Sequence, residues 1–294
     1  EGNVYGKLPR CRVLLSLEDH FIHVDGGLGG PPGGDGRNSW SSWEENDEAP
    51  LSPTRPVTHP HPRCRGGATV CLVTDFVHGS SIQQILEDGG VTDELIEQTI
   101  LQNGVPGLSF RQFRQSPERS RPIWMVEVFK QLFLGLSSLH EVQLVHGDVK
   151  PDNLLFGVLA SASTCTSEKS PPCPALFLCD YGQVSEEGES EMVLPPRGWL
   201  APERQLGGKA TASGDVYGAG LCMLAMLTGL THFSENHQRR QEKIQGSVVS
   251  GEIMFLVQHC LSWDPKARPS SRRCYELLVS LQKTWLSLFS LQGE

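Results

Sequence analysis

The stretch Leu144–Phe156, LVHGDVKPDNLLF, places five polar side chains within eight residues and between apolar runs: His146, Asp148, Lys150, Asp152 and Asn153. Carboxylate and amide oxygens beside an ammonium group can orient a hydroxyl, bind a hard metal ion and neutralise a phosphoryl group during transfer. The same residue types are common in solvated turns, because Asp and Asn hydrogen-bond their own backbone. The rest of the chain must decide between these two interpretations.

Composition excludes several classes of protein. The chain has 294 residues and a formal net charge of −9, so it lacks the basic surface that a nucleic-acid-binding protein needs. Nine Cys without a CxxC pair argue against a zinc site and are typical of buried thiols, which predicts an intracellular, cytoplasmic protein. The longest apolar run, Tyr217–Leu230, is too short to span a membrane. No signal peptide is found, and a start at Glu1 suggests a fragment of a longer protein.

The composition changes sharply along the chain. Residues 26–67 are rich in Gly, Pro and Ser without helical or strand periodicity, which predicts a disordered insert. Before it, residues 1–25 contain one strand-like run, Cys11–Leu17, and are interpreted as the remnant of a small β lobe. Residues 68–294 are expected to form the main domain, which opens with a strand at Thr69–Val77 and a short helix ended by Gly89 and Gly90.

Three longer helices are predicted in this domain. Pro122–His140 carries an apolar face formed by Val126, Phe129, Phe133 and Leu136 together with His140. The segment 214–230 is apolar on nearly every side, which predicts a central buried helix, and the last helix repeats apolar residues at helical spacing. A Ser/Pro-rich insert at 157–174 is expected before a strand at 175–180.

Four further motifs follow the opening stretch in a fixed order. They are DYG at Asp180–Gly182, APE at Ala201–Glu203, GDVYGAG from Gly214 and DPKARPS around Arg268. With HGDVKPDN at His146–Asn153, this series resembles the eukaryotic protein kinase family over roughly residues 68–290. The resemblance implies an α+β fold with a mainly helical large lobe and a small β lobe, here incomplete.

The resemblance implies a role for each residue of the loop. Asp148 would accept a hydrogen bond from the substrate hydroxyl, and Lys150 would contact the phosphoryl group in transfer. Asn153 and Asp180 would supply oxygen ligands to Mg²⁺. The implied cofactors are therefore ATP and magnesium, and the implied substrate is a protein.

The resemblance also implies a nucleotide site and a structural frame. The backbones of Asp75 and Val77 would pair with the adenine edge, Ser81 would contact the ribose, and Leu155 would pack beneath the base. The rings of His146 and Tyr181 would stack in the core that aligns the loop.

Three further residues would hold this frame together. Glu203 and Arg268 would form a buried ion pair that acts as a conformational clamp. Asp215 would accept hydrogen bonds from backbone N–H groups of the catalytic loop.

The chain departs from the family pattern in its first part. No G-x-G-x-x-G stretch precedes a strand, and Lys7 is the sole Lys before Lys130. If Lys7 contacted the phosphates, the glycine-rich loop would lie upstream of Glu1. Its acidic partner would then fall among Glu44, Glu45 and Glu48, which are more typical of a solvated acidic run.

Other departures bear on regulation and on the acceptor hydroxyl. Gly147 replaces the Arg that receives a phosphorylated activation loop in many kinases, so such a phosphate at Ser185 or Ser190 would lack its usual partner. Lys150 is typical of serine/threonine kinases, whereas Pro196 and Trp199 are closer to the tyrosine type. We give Lys150 more weight, because it would act on the phosphoryl group itself.

Three hypotheses follow. The first is an ATP-dependent protein kinase that phosphorylates Ser or Thr hydroxyls, with a possible regulatory protein partner. The second is a pseudokinase or interaction scaffold that keeps the fold without turnover. The third is a truncated chain whose small lobe cannot fold.

Overall fold

A computed structural model describes residue 14 and the ranges 17–24, 68–74, 76–92, 94–97, 117–159, 176–189, 197–230 and 251–291. The chain divides into two compact units, one of residues 18–73 and one of residues 1–17 with 74–294. The predicted insert at 26–67 lies outside the described residues. All described residues of the candidate site belong to the larger unit.

The smaller unit is represented by a two-stranded sheet. Strand β1 (Leu17–Val24) pairs with β2 (Ala68–Thr74). The sequence placed the early strand at Cys11–Leu17, whereas the observed strand begins where the predicted one ends. Glu18 and Asp19 have low β-propensity, so the sequence pattern did not reveal a strand that depends on pairing with β2.

A three-stranded antiparallel sheet supports the candidate site. Its order is β3 (Val77–Ser81), β5 (Leu154–Leu159) and β6 (Leu176–Leu178). The predicted strand Thr69–Val77 is thus divided between β2 and β3, and β5 was not predicted. Gly79 lies opposite Gly157, and a Cβ on either residue would overlap the backbone of the facing strand. Helix α1 (Ile82–Glu87) follows β3 directly.

Two long helices pack against each other along their length, α2 (Pro117–Glu141) and α6 (Ser271–Leu291). Helix α2 begins five residues before the predicted start, so that Pro122 lies inside it. The prediction of a single apolar face is too narrow. Residues 123–139 are buried except for Lys130, Leu134 and Ser138, whose spacing of four residues leaves one half-buried stripe.

Helix α4 (Ala212–Thr228) is the predicted central helix, and the structure confirms its burial from Asp215 to Met226. The Thr211 hydroxyl caps its first turn by accepting from Gly214 N at 3.1 Å. Gly218 lets the helix touch the loop of the candidate site, because an added Cβ would lie 2.7 Å from Val149 O.

The remaining elements are short: β4 (Leu144–Val145), β7 (Ser185–Glu186), α3 (Pro202–Gln205) and α5 (Gly251–Cys260). Residues 94–97 form one further helical turn. Within the described ranges, no helix is long and apolar enough to cross a bilayer. The fold class is α+β with a mainly helical larger part, as predicted.

Candidate active site

The segment between β4 and β5 folds into a compact loop that ends in the 3-10 turn Pro151–Asn153. Asp148, at its centre, is only 7% exposed. Lys150 Nζ lies 2.7 Å from Asp148 Oδ2. The Asn153 amide donates to Asp148 O at 2.8 Å and to Oδ2 at 3.1 Å. The structure therefore brings these three expected site residues together.

The second carboxylate oxygen of Asp148 has no partner. Its Oδ1 is buried and accepts no hydrogen bond. A buried carboxylate oxygen without a donor raises the free energy of the folded state, and such exceptions occur where a ligand completes the site. This oxygen could accept a hydrogen bond from a hydroxyl or N–H group of a bound molecule.

Asp180 follows β6, and the residue before it is hydrogen-bonded to the backbone of Asn153. Cys179 N donates to Asn153 O at 3.0 Å. Asp180 is exposed and has a left-handed backbone with φ of 62°, a conformation that is costly for non-glycine residues and is enriched at functional sites. Its Oδ1 accepts from Gly182 N at 3.2 Å. Burial, followed by the Asp180 charge, raises the pKa of the Cys179 thiol to about 12, so this neighbour stays uncharged.

The rings of His146 and Tyr181 meet edge to face rather than stacking. Their centroids are 5.9 Å apart and their planes are 65° from parallel. His146 Nε2 lies 3.0 Å from Cys179 O, and Tyr181 OH donates to Leu178 O at 3.0 Å. Both rings therefore bind the segment of chain that leads into Asp180.

The Asp215 carboxylate binds the backbone of the loop. Its Oδ1 accepts from Gly147 N at 2.9 Å, and its Oδ2 accepts from His146 N at 2.7 Å. His140 Nε2 lies 3.0 Å from the same Oδ2, while His140 Nδ1 lies 2.7 Å from Ser271 Oγ. The sequence placed His140 on the apolar face of its helix but gave no sign of these contacts; its only signal was a polar residue in an apolar position.

Glu203 and Arg268 form a bidentate pair, with both N–O distances at 2.7 Å. The Arg268 side chain is fully buried, whereas that of Glu203 is 23% exposed. Three backbone carbonyls accept the remaining guanidinium N–H groups, at 2.8 Å from Ser262 O, 3.0 Å from Ser213 O and 3.3 Å from Trp263 O. The guanidinium also lies 4.8 Å from the centre of the Tyr217 ring.

The residues expected at the nucleotide lie partly in the described region. Val77 opens β3, and Leu155, the second residue of β5, pairs with Ser81 at the other end of β3. The Ser81 hydroxyl accepts from Gln84 N at 3.1 Å and so caps α1, which leaves its O–H as the donor available to a ligand. Asp75 lies outside the described residues.

The segment after Asp180 is attached on two sides. Strand β7 pairs with β4, and Gly188 N donates to Ala210 O at 3.0 Å. The Glu187 carboxylate accepts from Ala212 N at 3.1 Å, at the start of α4. The Ser185 hydroxyl oxygen is buried and makes no hydrogen bond. Ser190 lies outside the described residues.

The oxygen atoms of Asn153 and Asp180 fit a magnesium ion whose remaining ligands would come from phosphate. Asn153 donates its side-chain N–H groups to Asp148, so its side-chain carbonyl oxygen is the atom that could bind a metal, and Asp180 would add carboxylate oxygens. Magnesium prefers such oxygens and commonly takes further ligands from substrate phosphates. Among the described residues, no group of three or more His, Cys, Asp or Glu side chains is placed to hold a metal ion.

Comparisons with known proteins identify the family. Residues 62–280 match the model of the protein kinase domain. The chain is 27% identical over 162 residues to a calcium and calcium/calmodulin-dependent serine/threonine-protein kinase of Lotus japonicus, covering 49% of the chain and 29% of the relative. It is 27% identical over 226 residues to the serine/threonine-protein kinase/endoribonuclease IRE1a of Arabidopsis thaliana, covering 68% of the chain and 24% of the relative.

A third relative is serine/threonine-protein kinase D2 of Rattus norvegicus, 28% identical over 178 residues, which cover 56% of the chain and 19% of the relative. The chain thus spans less than a third of the length of each of these three proteins. The domain match covers well over half of the chain and includes the whole loop around Asp148. The chain therefore belongs to the protein kinase family.

Proposed function

We propose that the chain is an ATP-dependent protein kinase that transfers phosphate to Ser or Thr hydroxyls of proteins. One observation carries the proposal: the buried Asp148 carboxylate has one oxygen held by Lys150 and Asn153 and the other without a donor. A substrate hydroxyl bound to Oδ1 would be both oriented and polarised. Phosphoryl transfer needs mainly this kind of positioning together with neutralisation of charge.

Lys150 and the metal-binding pair would supply the neutralisation. Lys150 Nζ, bound to Asp148 Oδ2, adds a positive charge within 2.7 Å of the group that holds the hydroxyl. Asn153 and Asp180 would hold magnesium, which would balance the negative charge of the phosphates. The contact between Cys179 N and Asn153 O supports a fixed separation of the two ligands.

The nucleotide would bind along β3 and β5. The backbones of Asp75 and Val77 would pair with the adenine edge, Leu155 would pack beneath the base, and the Ser81 O–H would donate to the ribose. The support for this part is the register that sets Ser81 opposite Leu155 at one end of the strand pair. Glu203, Arg268 and Asp215 are proposed as the frame that keeps the loop in its active conformation.

Lys150 supports Ser and Thr as acceptors, and the plant and rat relatives are named as serine/threonine-protein kinases. We also propose an intracellular, cytoplasmic location and control by a regulatory protein partner. The calcium/calmodulin dependence in the name of one relative belongs to that protein.

Magnesium-dependent nucleotide binding tests the site. We expect a fluorescent ATP analogue to bind more tightly with magnesium than without it. Asp180→Asn should weaken the affinity for the nucleotide in the presence of magnesium by about tenfold or more, since changes around a metal site commonly cost about 10–100-fold in affinity. The control Asp264→Asn alters an exposed carboxylate in the α5–α6 connection and should bind normally.

Two other results would contradict the proposal. Binding that does not depend on magnesium would show that Asn153 and Asp180 are not metal ligands. Absence of nucleotide binding by the unaltered chain would favour the alternative function, an interaction scaffold with a kinase fold.

A further inference from the structure

A buried polar cluster joins α2 to α6 away from the active site. The Glu127 carboxylate accepts three hydrogen bonds: from Lys130 Nζ at 2.6 Å, from Gln282 Nε2 at 2.8 Å and from Gln131 Nε2 at 3.1 Å. Lys130 Nζ also donates to Gln282 Oε1 at 2.6 Å. Glu127, Gln131 and Gln282 are each at most 5% exposed, so the cluster is a closed network of satisfied groups.

One hydrogen bond joins this network to the three-stranded sheet. Gln131 Oε1 accepts from Leu176 N at 3.1 Å, across 45 positions of sequence. Leu176 is the first residue of β6, which pairs with β5 on one side and, at Leu178, forms a single parallel bridge with Leu14. The Gln131 side-chain amide therefore satisfies a buried N–H group at the start of β6, where an unpaired donor would raise the free energy of the folded state.

The network fixes which way the Gln131 amide points. Burial alone would raise the pKa of the Glu127 carboxyl, but hydrogen bonds from Lys130 and Gln282 and the Lys130 charge hold it below its ordinary value. Glu127 is therefore ionised at neutral pH and accepts from the Gln131 NH₂. A reversed amide would set its oxygen against that carboxylate and its NH₂ against Leu176 N, so a single orientation is favoured.

Strand β6 leads directly to Asp180, which lies four residues after Leu176. We propose that Gln131 is a positioning residue for Asp180, because its hydrogen bond to Leu176 N fixes the start of β6. Glu127 and Gln282 link this hydrogen bond to the packing of α6 against α2. The proposal rests on the proposed function for the metal-binding role of Asp180. It gives α6 a part in the site although α6 does not carry a metal-binding residue.

The first test measures the strand itself. In Gln131→Leu, whose side chain has a similar volume without polar atoms, amide hydrogen exchange of the peptide covering 176–180 should rise roughly 2–10-fold, the range for one lost buried hydrogen bond. Lys130→Met is the matched control, because it damages the same cluster without touching Leu176. Its thermal midpoint should fall, while exchange at 176–180 should rise by less than in Gln131→Leu, because Gln131 Oε1 still accepts from Leu176 N.

The second test measures the metal. The apparent magnesium affinity for nucleotide binding should weaken roughly tenfold in Gln131→Leu, the lower end of the effect of outer partners of metal ligands. Nucleotide affinity without magnesium should stay the same. Gln131→Glu, which keeps the acceptor for Leu176 N but faces Glu127 with a second carboxyl, should also weaken magnesium binding.

The outcomes separate this inference from the proposed function. Unchanged exchange at 176–180 in Gln131→Leu, or an equal rise in Lys130→Met, would overturn the positioning role. Faster exchange with unaltered magnesium affinity would show that β6 does not position Asp180. If the unaltered chain shows no magnesium-dependent binding, the proposed function fails, while the exchange result still decides whether Gln131 holds the strand.

Discussion

Asp148→Asn is expected to lower the rate of phosphate transfer by about 10²–10⁴-fold, the range that a positioned acid–base group contributes. The substitution keeps the size of the side chain and one oxygen. It removes the negative charge that pairs with Lys150. The new NH₂ group would stand either at the oxygen that should accept from the substrate hydroxyl or at the oxygen that accepts from Lys150 and Asn153, and in both places one donor would face another. Single-turnover transfer to a protein substrate is the measurement.

The effect should fall on transfer and not on nucleotide binding. Asp148→Asn should bind the magnesium–nucleotide complex within a few-fold of the unaltered chain, because Asn153 and Asp180 remain. Asp152→Asn is the control, since Asp152 is exposed and lies four residues along the same loop. Equal transfer rates in Asp148→Asn and Asp152→Asn would rule out Asp148 as the group that orients the hydroxyl.

Arg268→Ala is expected to destabilise the chain by about 3 kcal/mol, the low end for breaking a buried ion pair. The low end applies because Glu203, the charge left behind, is partly exposed. The carbonyls of Ser213 and Ser262 would also lose their donors. At about 2–4 °C per kcal/mol for a domain of this size, the thermal midpoint should fall by roughly 6–12 °C.

A control for this change exists on α6. Arg272 also contacts two acids, Glu141 and Glu276, but all three side chains are about half exposed or more. Ion pairs of that kind are screened by water, so Arg272→Ala should leave the midpoint nearly unchanged. If Arg268→Ala behaves like Arg272→Ala in thermal denaturation, the pair with Glu203 does not act as a clamp.

Local patterns were enough to predict the loop and the central helix. The order of polar residues in His146–Asn153 and the continuous apolar run after Asp215 are properties of neighbouring residues, and backbone geometry turns them directly into a loop and a buried helix. The strand β6 was found for the same reason. Strand β5 was missed, because its Gly157 weakens the strand signal and its stability comes from pairing with β3.

Contacts between distant parts of the chain could not be predicted from one sequence. The hydrogen bonds of His140 to Asp215 and of Gln131 to Leu176 join residues 75 and 45 positions apart. In the sequence, His140 and Gln131 are polar residues on an apolar helix, a pattern that fits a partly exposed face equally well. Only the packing of α2 shows that Gln131 is buried, that His140 is partly buried and that both have polar partners.

The most direct test of the account is the transfer of labelled γ-phosphate from ATP to a generic protein substrate, followed by identification of the phosphorylated residue type. The account predicts magnesium-dependent label on Ser or Thr that disappears in Asp148→Asn. Label on Tyr would contradict the role given to Lys150. No label from an unaltered chain that binds the magnesium–nucleotide complex would contradict catalysis and identify the chain as a scaffold.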